Sequence, residues 1–265
     1  GDNIARLRGL ALPVVLLAAL LAGFRPRWLT VIALTLALAN NVVPYLMLFP
    51  DQANRRPSRA SFWAPSIDYL RARLRPGDRV EVVPTAAHWE AYFLPRAGLP
   101  LARGWFRQLD PPSLYDGRLD AVTYLGWLRR SAARYVVLPH ARLDQAGGPT
   151  EARILSGNPR SFALVSRNPN ATIYALRGSR SLLTGAAGDR ILGFGHTDIS
   201  GLLAAPGSHL LRVRYMPYWK VDRGEVCLRR DPSGLTRIEA AKAGAFRLRV
   251  DQSLAGLVSR FLDRG

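Results

Sequence analysis

The feature that most constrains this chain is an apolar run from Gly9 to Pro50, broken once at Arg25-Pro26-Arg27. Neither half, Leu10 to Phe24 or Trp28 to Phe49, carries a charged residue. A bilayer takes roughly 20 consecutive apolar residues per helix, so the pattern predicts a transmembrane helical hairpin over 1–50. The second half is long enough to cross. The first, at about 15 core residues, is short for a span. Pro13 lies near its start, where a helix tolerates proline. Asn40 and Asn41 fall inside the second half, and amides in hydrocarbon need partners. Arg6, Arg8, Arg55, Arg56 and Arg59 flank one side and Arg25 and Arg27 the other. That excess places the rest of the chain in the cytoplasm by the positive-inside rule.

The formal net charge of +18 is carried almost entirely by arginine, with lysine at positions 220 and 242. Strong basicity raises nucleic-acid binding as a class. Here the arginines are scattered, and no zinc-finger, helix-turn-helix or RNP pattern appears, so nucleic acid is excluded as the expected partner. Attraction to membrane lipid headgroups is the second use of such charge. Cys227 is the single cysteine, which rules out an internal disulfide and a cysteine-built metal cage. The chain opens Gly1-Asp-Asn-Ile-Ala-Arg-Leu and reads as the C-terminal piece of a longer protein. The first apolar half is not a signal peptide, because no cleavage site follows it and a second apolar half does.

After the hairpin, 51–61 reads as a polar, Arg-rich linker, and Phe62-Trp63 sit where interfacial aromatics would anchor the chain. Ile67, Leu70 and Leu74 share one face of a short helix, ended by Pro76-Gly77-Asp78. Arg79 to Val83 is a strand. Leu119 to Ala132 is a helix, with Val122, Leu125 and Leu128 predicted inward. Arg134 to Pro139 is apolar at its centre, as strands inside a sheet are. Phe162–Val165 and Ala171–Leu176 flank Arg167-Asn-Pro-Asn170, a hairpin turn in composition. These elements define an α/β domain over 62–177. From Gly178 short alternating strands and Pro/Gly turns take over, the spacing of a small β-sandwich over 178–253. Residues 254–265 read as an amphipathic tail. The expected fold class is thus α/β: a transmembrane helical hairpin followed by a small α/β domain and a C-terminal antiparallel β-sandwich.

Candidate chemistry concentrates between Thr85 and Asp116, a long irregular stretch, and such stretches inside compact domains are often functional. His88 and Glu90 flank Trp89 and would share a face on a strand, a recurring acid/base or metal-binding pair. Further ligands are missing: His140, His196 and His209 stand apart, so no metal and no cofactor is expected. Arg103, Trp105, Arg107, Gln108 and Asp110 bring guanidinium, indole, amide and carboxylate groups into one loop. Aromatic faces with planar hydrogen-bonding groups suit sugar rings, and arginine suits phosphate or carboxylate. The same loop also reads as a buried salt-bridge network. Tyr215 to Lys220 and His196-Thr-Asp198 read as packing and a turn. No Gly-x-Ser-x-Gly, Walker, His-Glu-x-x-His or dinucleotide fingerprint occurs.

At His88-Trp-Glu-Ala-Tyr92, Leu101 to Asp110, Tyr124-Leu-Gly-Trp-Leu128 and Arg134 to Pro139 the chain resembles the C-terminal part of large actinobacterial polytopic membrane proteins. These are similar to C-class, lipid-phosphate-sugar-dependent glycosyltransferases. The resemblance implies an integral protein of the plasma membrane, with upstream transmembrane helices as partners. It puts the soluble part on the extracytoplasmic side, against the arginine count, and the catalytic loop upstream of this chain. It therefore implies an accessory domain of a glycosyltransferase-like protein, assisting recognition of a glycan or lipid-linked sugar through His88, Trp89, Glu90, Arg103, Trp105, Arg107, Gln108 and Asp110. The alternative is a non-enzymatic structural or interaction module of a cell-envelope complex.

Overall fold

The computed structural model describes residues 3–53, 56–105 and 107–251, and the tail at 254–265 lies outside them. The chain divides into two units, Gly1–Ser58 and Arg59–Gly265. In the first, α1 (Asn3–Leu21) and α2 (Arg27–Ala53) form a helical pair. Among the described residues no helix is long and apolar enough to cross a membrane, which corrects the transmembrane hairpin expected from the sequence. The physical reason lies in what the helices include. Helix α1 takes in Asn3, Arg6 and Arg8 and a proline, Pro13, so its apolar part is short. Helix α2 starts at Arg27, runs into Asp51, and carries Thr30, Thr35, Asn40 and Asn41 in its apolar part. Two of these polar groups are satisfied inside their own helix. Thr35 Oγ1 donates to Val31 O at 2.9 Å and Asn41 Nδ2 to Ala37 O at 2.7 Å. Apolar side chains such as Val14, Val15, Phe24, Trp28 and Leu36 stay exposed in this unit.

The second unit is a mixed α/β fold. Its first half contains, in order, α3 (Ala60–Arg71), β1 (Arg79–Val82), α4 (Glu90–Arg96), α5 (Ala121–Arg130), β2 (Ala133–Pro139), α6 (Gly148–Gly157), β3 (Phe162–Arg167) and β4 (Ala171–Leu176). The strands form one sheet in the order β1-β2-β4-β3, with β1 and β2 parallel and the other neighbours antiparallel. Successive strand residues point to opposite faces. Val80, Val82, Tyr135 and Val137 therefore pack with Phe62, Trp63 and Leu70 of α3 and Leu94 of α4. Val83 and Val136 pack with Tyr124, Trp127 and Leu128 of α5 and Ile154 and Leu155 of α6.

Three sequence expectations change here. Phe62 and Trp63 anchor no surface: they are buried in α3 and meet edge-to-face at 5.0 Å between ring centroids. Ser61 and Ala60, expected in the linker, belong to the same helix. Of the expected inward set of α5, Leu128 is buried and Leu125 packs against the core, but Val122 does not turn inward. Val122 is 79% exposed, while Tyr124, Trp127 and Leu128 are buried and Tyr124 stacks on Trp127 at 5.9 Å. Two aromatics one turn apart bury more area than the aliphatic set, which decides the rotation of a short helix. Its start follows Asp120, whose carboxylate accepts from Thr123 N at 2.7 Å.

The second half is all strand: β5 (Leu183–Thr184), β6 (Arg190–Phe194), β7 (Asp198–Leu203), β8 (Gly207–Arg214), β9 (Trp219–Arg223), β10 (Val226–Arg230), β11 (Leu235–Ala240) and β12 (Gly244–Val250). Two antiparallel sheets, β10-β11-β8-β5 and β6-β7-β12-β9, make a sandwich-like pair. One core joins them, with Leu183, Leu211 and Ile238 from the first and Ile199, Leu203, Phe246 and Leu248 from the second. Gly201 lets Phe246 lie against β7, since a Cβ there would stand 2.6 Å from the ring. The two halves are tied by Arg79, which donates to Ser131 O at 3.4 Å and Arg212 O at 3.2 Å. Burial pulls its guanidinium down to about 10.

Candidate functional site

The site grows from the parallel pair. Because β1 and β2 run the same way, the loops that leave their carboxyl ends emerge at one edge of the sheet. In open α/β sheets this is where ligands bind. The two loops are stitched together. Thr85 bridges Leu143, Ala86 N donates to Arg142 O at 2.9 Å, and Asp144 N donates to Pro84 O at 2.8 Å. A third segment joins on the free side of β1. Val80 N donates to Pro100 O at 2.9 Å and Ala102 N to Val80 O at 2.8 Å. That short pairing delivers Arg103 beside the middle of β1.

Arg103 there meets two carboxylates. Its Nη2 lies 2.6 Å from Glu81 Oε1 and 2.6 Å from Glu151 Oε2. All three side chains are buried, and Tyr124 adds a hydrogen bond from its hydroxyl to Glu151 Oε2 at 3.0 Å. One guanidinium cannot neutralise two carboxylates. Burial pushes the Glu81 carboxyl well above the usual range, over the opposing pull of Arg103, and the charge of Glu151 adds to the rise. The Arg103 guanidinium also lies 5.4 Å from the Trp127 ring and bonds the Tyr115 hydroxyl at 3.4 Å. Tyr115 in turn donates to Asp110 Oδ2 at 2.5 Å. Burial raises the Asp110 carboxyl, partly offset by that hydrogen bond and by Arg103.

Above this network lies a narrow cleft lined by Val82, Pro84, His88, Arg103, Trp105 and Tyr115, among others. Its interior is small, on the scale of a water molecule rather than a sugar ring. His88 forms one wall, with its backbone in the left-handed region at φ 55°. Its Nδ1 faces Glu90 Oε1 at 3.2 Å. Glu90 is buried and also accepts from Thr85 N at 3.2 Å and Thr85 Oγ1 at 2.6 Å. The other ring nitrogen, Nε2, lies 3.2 Å from Arg107 Nη2 and 3.7 Å from Asp144 Oδ2. Arg107 pairs with Asp144 as well. Trp105 covers the imidazole at 5.4 Å between rings and remains 57% exposed.

The eight residues singled out from the sequence therefore separate. His88, Glu90, Arg103, Trp105 and Arg107 converge on the cleft. Trp89 points away and packs with Tyr92 and Phe93. Gln108 is exposed, and Asp110 serves Tyr115. Glu81, Glu151, Thr85 and Asp144 were passed over. Glu81 carried a usable signal, since a lone carboxylate inside an apolar β1 must be buried and needs a cation. No group of three or more His, Cys, Asp or Glu side chains that could hold a metal ion occurs among the described residues.

Fold and site together define a mixed α/β domain with a His–carboxylate cleft at the carboxyl ends of its parallel strands. No protein family, curated protein or solved structure was found to match the chain.

Proposed function

We propose that the unit from Arg59 onward is a carbohydrate-recognition domain, an accessory part of a glycosyltransferase-like protein. Its contact surface is the lip of the cleft, with Trp105 as the platform for a sugar ring and Arg107 and His88 as hydrogen-bonding neighbours. The observation that carries this reading is Trp105 itself, a 57% exposed indole over the His88 imidazole, which in turn meets the Arg107 guanidinium. An indole face receives the C–H side of a pyranose, while the polar groups fix its hydroxyls. Arg103, Glu90 and Asp110 lie beneath and shape the lip without touching the ring. This reading makes no use of the helical pair.

The test is glycan-array binding of the whole chain, followed by calorimetry on the best sugar. Trp105→Ala and Arg107→Ala should each weaken binding at least tenfold. Both side chains are substantially exposed, so unfolding midpoints should stay close to the wild type. Binding unchanged in the double variant would refute the assignment.

A second reading, a structural or interaction module, is favoured by one observation. Arg103, at the centre of the segment, is buried between Glu81 and Glu151 and fastens the loop rather than facing solvent. On that reading the Trp105 and Arg107 variants bind every sugar as the wild type does, which is to say not at all.

A further inference from the structure

We propose that His88 is the general base of a hydrolytic site, which removes an O-acyl group from the sugar received by Trp105. The inference rests on the carbohydrate reading above for its substrate class. The basis for the base itself is separate.

It begins with the tautomer. Glu90 Oε1 can only accept, so His88 Nδ1 carries the proton across the 3.2 Å contact. Arg107 Nη2 can only donate, so Nε2, 3.2 Å away, is unprotonated and accepts from it. The imidazole is thus held as the Nδ1–H tautomer, with its Nε2 lone pair engaged by Arg107 at the cleft wall. Glu90 is itself locked by both the N–H and the hydroxyl of Thr85. A carboxylate that fixes the tautomer and then steadies the imidazolium is the orienting member of base-assisted hydrolysis. The backbone supplies a second sign. His88 holds a left-handed φ of 55°, which histidine adopts more readily than most residues, and such conformations gather at functional sites. A third is placement, at the carboxyl ends of β1 and β2.

Size and chemistry narrow the reaction. The cleft is too narrow for a sugar ring, so the sugar rests outside it on Trp105 and water reaches the base from within. The side chains beside Nε2 are Arg107 and Asp144, neither a hydroxyl nor a thiol, which makes water the attacking group. Glycosidic cleavage needs two carboxyl groups flanking the bond. Glu90, which lines the cleft, is fully occupied by Thr85 and His88. An ester fits a single base. The attacking water takes the place of Arg107 at Nε2, and Nε2 takes the water proton as the water oxygen bonds the acyl carbon. The carbonyl π pair moves to oxygen, beside the Arg107 guanidinium. On collapse that pair re-forms C=O, the bond to the sugar oxygen breaks, and the Nε2 proton passes to that oxygen. The products are a carboxylic acid and a sugar hydroxyl. Glu90 is a positioning residue in this scheme.

The experiment uses the whole chain with two probes, 4-nitrophenyl acetate and 6-O-acetylglucose, and the variants His88→Asn and Glu90→Gln. Asparagine tolerates the left-handed backbone, and circular dichroism checks each fold. Acetate release should fall about 100-fold or more in His88→Asn, the usual scale for a general base. In Glu90→Gln, kcat should drop at little-changed KM. Wild-type release no faster than folded His88→Asn would overturn the proposal. So would a stoichiometric burst of nitrophenol, which marks an acyl-enzyme. Quenching of tryptophan fluorescence by glucose separates the two readings. Binding without hydrolysis overturns this inference and leaves the carbohydrate reading standing. His88-dependent hydrolysis of the aryl ester, with no glucose binding and no 6-O-acetylglucose turnover, overturns the sugar-ester substrate and the carbohydrate reading together.

Discussion

Replacing Glu81 with glutamine should change how stability depends on pH more than it changes stability itself. Glu81 and Glu151 share Arg103, and all three are buried. The folded chain holds a proton on Glu81 far more tightly than the unfolded chain, because burial disfavours its charge and Glu151 repels it. Between the ordinary glutamate range and the raised folded value, the native state therefore binds the extra proton. Stability must then fall as pH rises through that window. One extra bound proton corresponds to a slope of about 1.4 kcal/mol per pH unit inside that window. Glutamine mimics the protonated acid and removes this dependence. The raised carboxyl of Asp110 acts in the same direction but is present in both proteins, so it cancels in the comparison. Urea unfolding of both proteins at pH 5, 6 and 7 would measure it. Glu81→Gln should be close to the wild type at pH 5 and gain on it by a kcal/mol or more by pH 7. A difference that is flat with pH would show that Glu81 is ionised beside Arg103 throughout, and would refute the reasoning.

Arg103→Met tests the other side of the same cluster. It leaves a buried carboxylate without its cation, which should cost about 3–5 kcal/mol, read as a lower urea midpoint. In the β half, Asp189 Oδ2 meets His209 Nδ1 at 2.7 Å and Ala186 N at 2.9 Å, and Oδ1 meets Ala204 N at 2.9 Å. Burial alone would raise this carboxyl, but those three hydrogen bonds outweigh it and hold it below the usual range. The sign is opposite to that of Glu81. Its stabilisation is present above the ordinary aspartate range and is lost as pH falls through the lowered value. Asp189→Ala should cost about 2–5 kcal/mol at pH 7 and much less at pH 2, measured by thermal unfolding.

The elements were legible where neighbours in sequence decide them. Alternation and an apolar centre mark β1 and β2, and Asn168-Pro169-Asn170 marks the turn between β3 and β4. There Asn168 Oδ1 accepts from Asn170 N and Ala171 N, both at 2.9 Å. Local pattern failed where two solutions bury similar area. The face of α5 was decided by Tyr124 stacking on Trp127 and by Phe162 from β3, 38 positions on in chain number by subtraction. The helical pair shows the converse error: a run without charges was read as a span, although length and polar content also decide what crosses a membrane.

By itself, then, the sequence determined the mixed α/β character and the residue types gathered between Thr85 and Asp116. Hydrophobic periodicity and turn chemistry act over a few residues and are written directly in the chain. Only the tertiary structure decided which of those residues meet. Arg103 reaches Glu151 across 48 positions, and Arg107 reaches Asp144 across 37. Both contacts depend on β1 and β2 lying parallel, which sets two distant loops at one edge of the sheet. That placement turned Arg103 from a ligand contact into a buried fastening and left His88 facing the cleft.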